Sequence, residues 1–115
     1  MANTFKLVTK AGVTSADVIY TVAGSTTTVI LGLMLGNTTS GSSNATVTLG
    51  TDTANRAGDN NEPNQAVELL TTTAIPGNTT LELLAGNKVV METTDTLSVT
   101  GSAALDVVLS IMEIT

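Results

Sequence analysis

Apolar and polar residues alternate in short blocks along this chain, and residues that favour turns stand between the blocks. The blocks "TFKLVT" (4–9), "ADVIYTV" (16–22), "TTVILGLML" (27–35) and "ATVTLG" (45–50) come first. After a polar interval follow "QAVELLTT" (65–72), "TTLELL" (79–84), "KVVMET" (88–93), "TLSVT" (96–100) and "AALDVVLSIMEI" (103–114). A period of two over four to eight residues is the mark of a strand, and no stretch carries the 3.6-residue period of a helix longer than one turn. Eight or nine short antiparallel strands in a chain of 115 residues need two packed sheets. The expectation is therefore an all-β fold, an antiparallel β-sandwich with jelly-roll-like or Greek-key connections. Residues 1–115 read as a single domain, with 1–10 as an N-terminal arm or edge strand.

Turn chemistry refines this picture. Gly86-Asn87 has the Gly-X order of a type II′ hairpin and would make "TTLELL" and "KVVMET" neighbours. Pro76-Gly77 suits the two central positions of a type II turn, and a turn is expected around Gly12. The segment "DTANRAGDNNEPNQ" (52–65) is too long for a tight hairpin, so it should cross between sheets or project from an end.

Two blocks break the alternation of a half-exposed strand. In the last, Leu105, Val107, Leu109 and Ile111 share one face, while Asp106, Val108, Ser110, Met112 and Ile114 on the other are still half apolar. In "TTVILGLML", Val29, Leu31, Leu33 and Leu35 oppose Ile30, Gly32 and Met34. Apolar residues on both faces need covering, either by a loop of the same chain or by another subunit. The second alternative makes Met34, Val108, Met112 and Ile114 candidate partner contacts.

Composition supports the strand reading and removes most chemistry. Thr fills about a fifth of the positions, and β-branched residues suit a pleated surface. Only 12% of residues are charged, which agrees with subunit interfaces, whose cores are depleted in charge. The net charge of −6, one Phe, one Tyr and no Trp leave neither a basic footprint nor stacking platforms, so nucleic acid is not expected as a partner. Cys and His are absent, which excludes thiolate nucleophiles, Cys/His zinc sites and His-based triads. An enzyme would have to rely on a carboxylate pair, with Glu82, Glu92, Asp106 and Glu113 as its material. These sit at alternating strand positions where solvent-facing carboxylates are routine, so no catalytic residue and no cofactor is expected.

Residues 1–10 lack the apolar core of a signal peptide, and the longest apolar run, Val29 to Leu35, is too short to span a bilayer. Three Asn-x-Ser/Thr sequons, at Asn37, Asn44 and Asn78, carry no information in so Thr-rich a chain.

The most polar passage, "NRAGDNNEPNQ" (55–65), holds the only arginine, Arg56, beside Asp59 and Glu62. Asp52, Asp59, Asn60, Asn61 and Glu62 offer oxygen ligands, yet the D-x-[DN]-x-[DN]-G spacing of a calcium loop fails at Ala54 and Arg56. Asp and Asn also cap turns without any ion, so no metal is expected. Arg56, Asp59, Asn60 and Glu62 join the candidate partner contacts.

Several phrases together resemble small all-β structural proteins of tailed bacteriophage virions. They are the opening "MANTFK", Val18 to Val22, "TTTVILGLMLGNTTS" (26–40), Ile75 to Glu92 ("IPGNTTLELLAGNKVVME") and Asp95 to Val99. The segment 52–65 lies outside the pattern. The resemblance implies a virion component made in the host cytoplasm. The first expectation is a capsid decoration or cement protein that sits on the outer particle surface as an oligomer, in the typical case a homotrimer. Its partners would be further copies of itself and the major capsid protein or other virion proteins. A neck, tail-fibre or receptor-contacting part is the alternative.

Overall fold

The computed structural model describes residues 2–51, 64–84 and 86–115. The described residues form nine strands: β1 (Asn3–Val13), β2 (Asp17–Thr21), β3 (Thr27–Asn37), β4 (Ser43–Thr51), β5 (Gln65–Ile75), β6 (Thr80–Glu82), β7 (Val89–Met91), β8 (Thr96–Gly101) and β9 (Leu105–Ile114). One sheet has the order β1-β9-β3-β6, with β7 also paired to β3; the other has the order β2-β8-β4-β5. All pairings are antiparallel.

The expected Gly86–Asn87 hairpin does not form. β6 and β7 do not pair with each other; they lie end to end along the same edge of β3, opposite Met34–Gly36 and Thr28–Ile30 respectively. The Leu83 amide donates to the Leu33 carbonyl and prolongs the first half of that edge, after which the chain detours and rejoins at Val89. The long edge of β3 would stand unpaired if the two segments folded on each other, and a lone two-stranded ribbon is weakly stable. Counted as one interrupted strand, β6 and β7 make eight strands in nested pairs, β1 with β9, β2 with β8, β3 with β6/β7 and β4 with β5. This is jelly-roll topology.

Two further turn expectations need correction. Gly12 does not end a strand: β1 runs through it to Val13, and the register with β9 shifts between Lys10 and Val13. Gly12, at φ 70, forms a bulge whose amide donates to Asp106 Oδ1 at 3.0 Å. Of the two courses expected of the polar segment, only the crossing between sheets is excluded, because β4 and β5 are hydrogen-bonded neighbours and Thr51 pairs with Gln65; residues 52–63 themselves lie outside the described residues.

The core lies between the sheets. Leu105, Val107, Leu109 and Ile111 point into it from β9, as the alternation indicates, opposite Ala45, Val47, Leu97 and Val99. In β3 the register slips between Ile30 and Gly32, and the inward set becomes Thr28, Ile30, Leu33, Leu35 and Asn37. Val29 and Leu31, which alternation groups with Leu33 and Leu35, are half-buried on the outer face instead. A bulge inserts one residue and reverses the phase of everything before it.

The phrases that carry the family resemblance meet in the fold as turn scaffolds. The buried Asn37 donates from Nδ2 to the carbonyls of Gly41 and Ile75, both at 2.8 Å, and accepts from the Thr39 amide and hydroxyl. Its amide nitrogen is thus fully occupied within the fold. The Asn78 amide donates to the Thr39 carbonyl, and Pro76-Gly77 does not form a type II turn, because the positive φ falls on Asn78 (59°). Glycine is needed at 77 for space, since a Cβ would stand 2.3 Å from the Ser40 carbonyl oxygen. At the opposite end the buried Asp95 accepts from the Glu92 amide, and its backbone and that of Thr94 bond to Val22.

Candidate interaction face

The outer face of the five-stranded sheet is apolar along a row that spans four strands. Phe5 faces Met112, Met112 faces Val29, and Val29 faces Val90. Beside this row Leu7 faces Ser110, and further along Val108 faces Met34. Phe5, Leu7 and Val90 are 71%, 65% and 59% exposed, so no described segment lies over them. A side chain of Phe or Leu left this open forgoes roughly 1.5–3 kcal/mol of burial.

The other sheet has a different outer face. Its corresponding row runs Val18, Ser98, Thr48, Glu68, with Thr46 and Thr100 beside it. Here Glu68 accepts from the Thr71 hydroxyl and the Thr46 hydroxyl accepts from the Thr72 amide, and the exposed Val18 is isolated among these polar side chains. The same Thr-rich alternation thus yields one ordinary solvated face and one face that is not.

Where β3 and the detour between β6 and β7 part, a depression of about 360 Å³ opens on the apolar face. Leu31, Met34, Leu84 and Val108 form its walls, with Ser110 and Glu82 at its polar side. No ion pair reaches Glu82 among the described residues.

One end of the face is held in place by a polar bridge across the sandwich. Tyr20 of β2 donates to Glu113 Oε2 at 2.5 Å, and its oxygen lies 2.8 Å from the buried Thr28 hydroxyl. Tyr20 has one proton to give, so Thr28 is the donor in the second bond. Lys6 of the edge strand β1 reaches Glu113 Oε1 at 2.7 Å. Burial first, and then the bond to Glu113, pushes the Tyr20 hydroxyl up to about 12. The Lys6 ammonium first, with Tyr20 next, holds the Glu113 carboxyl below its usual range. Glu113 therefore ties β1 and both sheets together as a carboxylate.

Of the candidate contacts read from the sequence, Met34, Val108, Met112 and Ile114 all lie on β3 and β9 at outer-face positions. Arg56, Asp59, Asn60 and Glu62 lie outside the described residues. The sequence reading missed Phe5, Leu7, Val29 and Val90. Phe5 and Leu7 sit in a strand that alternates, and only the pairing of β1 with β9 determines which face they share.

The carboxylates weighed as an acid–base pair serve the fold or stand apart: Asp106 accepts from Gly12, Glu92 lies 3.4 Å from the Thr27 hydroxyl, and Glu113 is engaged as above. Among the described residues no three metal-ligating side chains come together. No helix among them is long and apolar enough to cross a membrane.

No family model matches the chain, and no curated protein matches it. Among solved structures it is similar to a chain from Bacillus endospore appendages, which are described as a novel family of disulfide-linked pili. The two are 13% identical, with 97% of this chain and 84% of that chain covered and a TM-score of 0.49. At that distance the likeness carries no inference about function.

Proposed function

We propose that this chain is a non-enzymatic structural protein of a bacteriophage virion, a capsid decoration or cement protein that binds the outer particle surface in many copies. The observation that supports the reading is the uncovered apolar face of the five-stranded sheet, with Phe5, Leu7, Met112, Val29 and Val90 in one continuous array. Exposed apolar arrays of this kind mark surfaces that meet another protein. A chain without Cys or His, whose strand carboxylates brace its own backbone and side chains, suits a scaffold role. The residues Arg56, Asp59, Asn60 and Glu62, in the segment outside the family pattern, are assigned to contact with the shell.

Mass spectrometry of particles purified from the source that produces the chain tests the reading. Recovery at hundreds of copies per particle is the expected result. A few dozen copies would move the chain to the neck or tail, and absence from every particle would refute a virion role. Replacing residues 55–65 with a short Gly-Ser link should lower occupancy on the particle while the far-UV circular dichroism of the isolated protein stays unchanged. Undiminished occupancy would reduce that segment to a connection.

A further inference from the structure

The apolar face has a specific occupant that the edges of the sheets help to identify. Proteins built of sheets can associate by pairing open edges or by packing faces. Each open edge here is guarded. On β1, Lys6 and Lys10 stand opposite the inward residues Ile111 and Val107, so their charges lie on the inner side of the edge, bound to Glu113 and Asp17. On β5 the register shifts twice against β4; β2 has only five residues and a shift of its own. β6 and β7 are three residues each, with the detour between them. Inward charges, bulges and short or interrupted edges all oppose the addition of a strand. The face remains.

Among the described residues there is one apolar face of this size, and that limits the symmetry. A ring of three copies needs two different surfaces on each copy that complement one another. A flat face can meet a copy of itself over its whole area only in a two-fold contact, whereas around a three-fold axis it would be divided between two neighbours. Its size is sufficient. Strands β1, β9 and β3, with the short β6 and β7 along the outer edge, at about 4.8 Å spacing over the eight residues from Asn3 to Lys10, cover roughly 500 Å² of sheet. Two such faces bury roughly 1,000 Å² together, the lower bound of a specific interface. Of the acidic side chains on this face, Glu82 and Asp106 lie toward the end away from Phe5 and Glu92 lies at the other end beside Thr27, so charge borders the contact at both ends and none stands within the row from Phe5 to Val90.

We infer that two copies of this chain pack outer face to outer face across their five-stranded sheets as a closed two-fold dimer, with Phe5, Leu7, Met112, Val29 and Val90 at its centre. The inference deepens the structural reading above by naming the partner of the face, and it replaces the trimer that the family resemblance implies.

Sedimentation velocity of the full chain from micromolar to millimolar concentration tests it. The expected species has twice the 11.6 kDa of one chain. Leu7→Lys with Val90→Lys places four charges in the contact and should raise the dissociation constant by on the order of a hundredfold or more, with circular dichroism and melting of the monomer unchanged. The control pair Val18→Lys with Thr48→Lys, on the outer face of the other sheet, should leave the dimer intact. A wild-type monomer throughout the range, a three-copy mass, or a dimer indifferent to the Leu7/Val90 pair would each overturn the inference. A chain that is monomeric in solution yet abundant on particles would refute the dimer and leave the virion role standing. A dimer absent from particles would do the reverse.

Discussion

Replacing Ile30 with alanine should destabilise this protein far more than the same change at Leu31, its neighbour in the strand. Ile30 is fully buried and faces Ile111 and Val89 across the two flanking strands. Truncation removes three carbon atoms, worth about 2.4 kcal/mol at ~0.8 kcal/mol each, and the residual cavity brings the loss to about 3–4 kcal/mol. Leu31 sits half-buried in the bulge on the outer face, so the same truncation there costs about 1 kcal/mol. For a chain of 115 residues these losses lower the melting temperature by about 14 °C and about 4 °C. Urea unfolding at concentrations low enough to exclude association measures both, with an unchanged slope confirming that only stability has moved. The order is diagnostic, because unbroken alternation through "TTVILGLML" puts Leu31 in the core and Ile30 outside it. A Leu31→Ala loss equal to or larger than that of Ile30→Ala would mean that β3 carries no bulge, and the composition of the outer face argued above would fall with it.

Gly77→Ala should cost about 1–3 kcal/mol, since its Cβ meets the Ser40 backbone at 2.3 Å and the neighbouring Asn78–Thr39 hydrogen bond has to shift. Gly86→Ala meets no atom within 4 Å and carries only the strain of φ 79°, about 1 kcal/mol, so urea midpoints in which Gly86→Ala is the worse of the two would refute the steric account. Glu113→Gln should lower stability at neutral pH by roughly 1 kcal/mol, a value kept small because Lys6 is 55% exposed. The folded-state pKa of Glu113 lies below its ordinary 4.5, so its contribution is present above that pH and is lost as the pH falls through the folded value. The glutamine variant should accordingly show a flatter acid limb in urea midpoints taken between about pH 6 and about pH 3; an unchanged limb would show that other carboxylates dominate. At the alkaline end Tyr20, raised from 10.0 to about 12, stabilises the fold below its unfolded value and loses that contribution as the pH rises toward 12. Tyr20→Phe should abolish this alkaline loss, and persistence of the loss in the variant would assign it to another group.

The architecture was legible in the sequence because it rests on local signals. β-branched residues at a period of two, separated by Gly, Asn, Pro and Ser, require strands and turns whatever their partners. With the strand count and a chain of this length, they require two packed sheets. The inward face of β9 was legible for the same reason, as was the doubled apolar character of β3 and β9 that pointed to Met34, Val108, Met112 and Ile114. Long-range pairing decided the rest. Gly86-Asn87 has hairpin chemistry, but the unpaired edge of β3 claims both flanking segments and overrides it. Gly12 has turn chemistry, but β9 holds β1 beyond it. The phase of β3 depends on one extra residue at Leu31, which no pattern within the strand reveals, because every residue from Val29 to Leu35 except Gly32 is apolar. Phe5 and Leu7 complete the outer face only because β1 pairs with β9 in one register, and a slip of one residue would turn both inward. What the sequence determined by itself was the kind of surface each strand could offer. Which surfaces join into one face was settled by cross-strand register, a property of pairs of strands that neither strand carries alone.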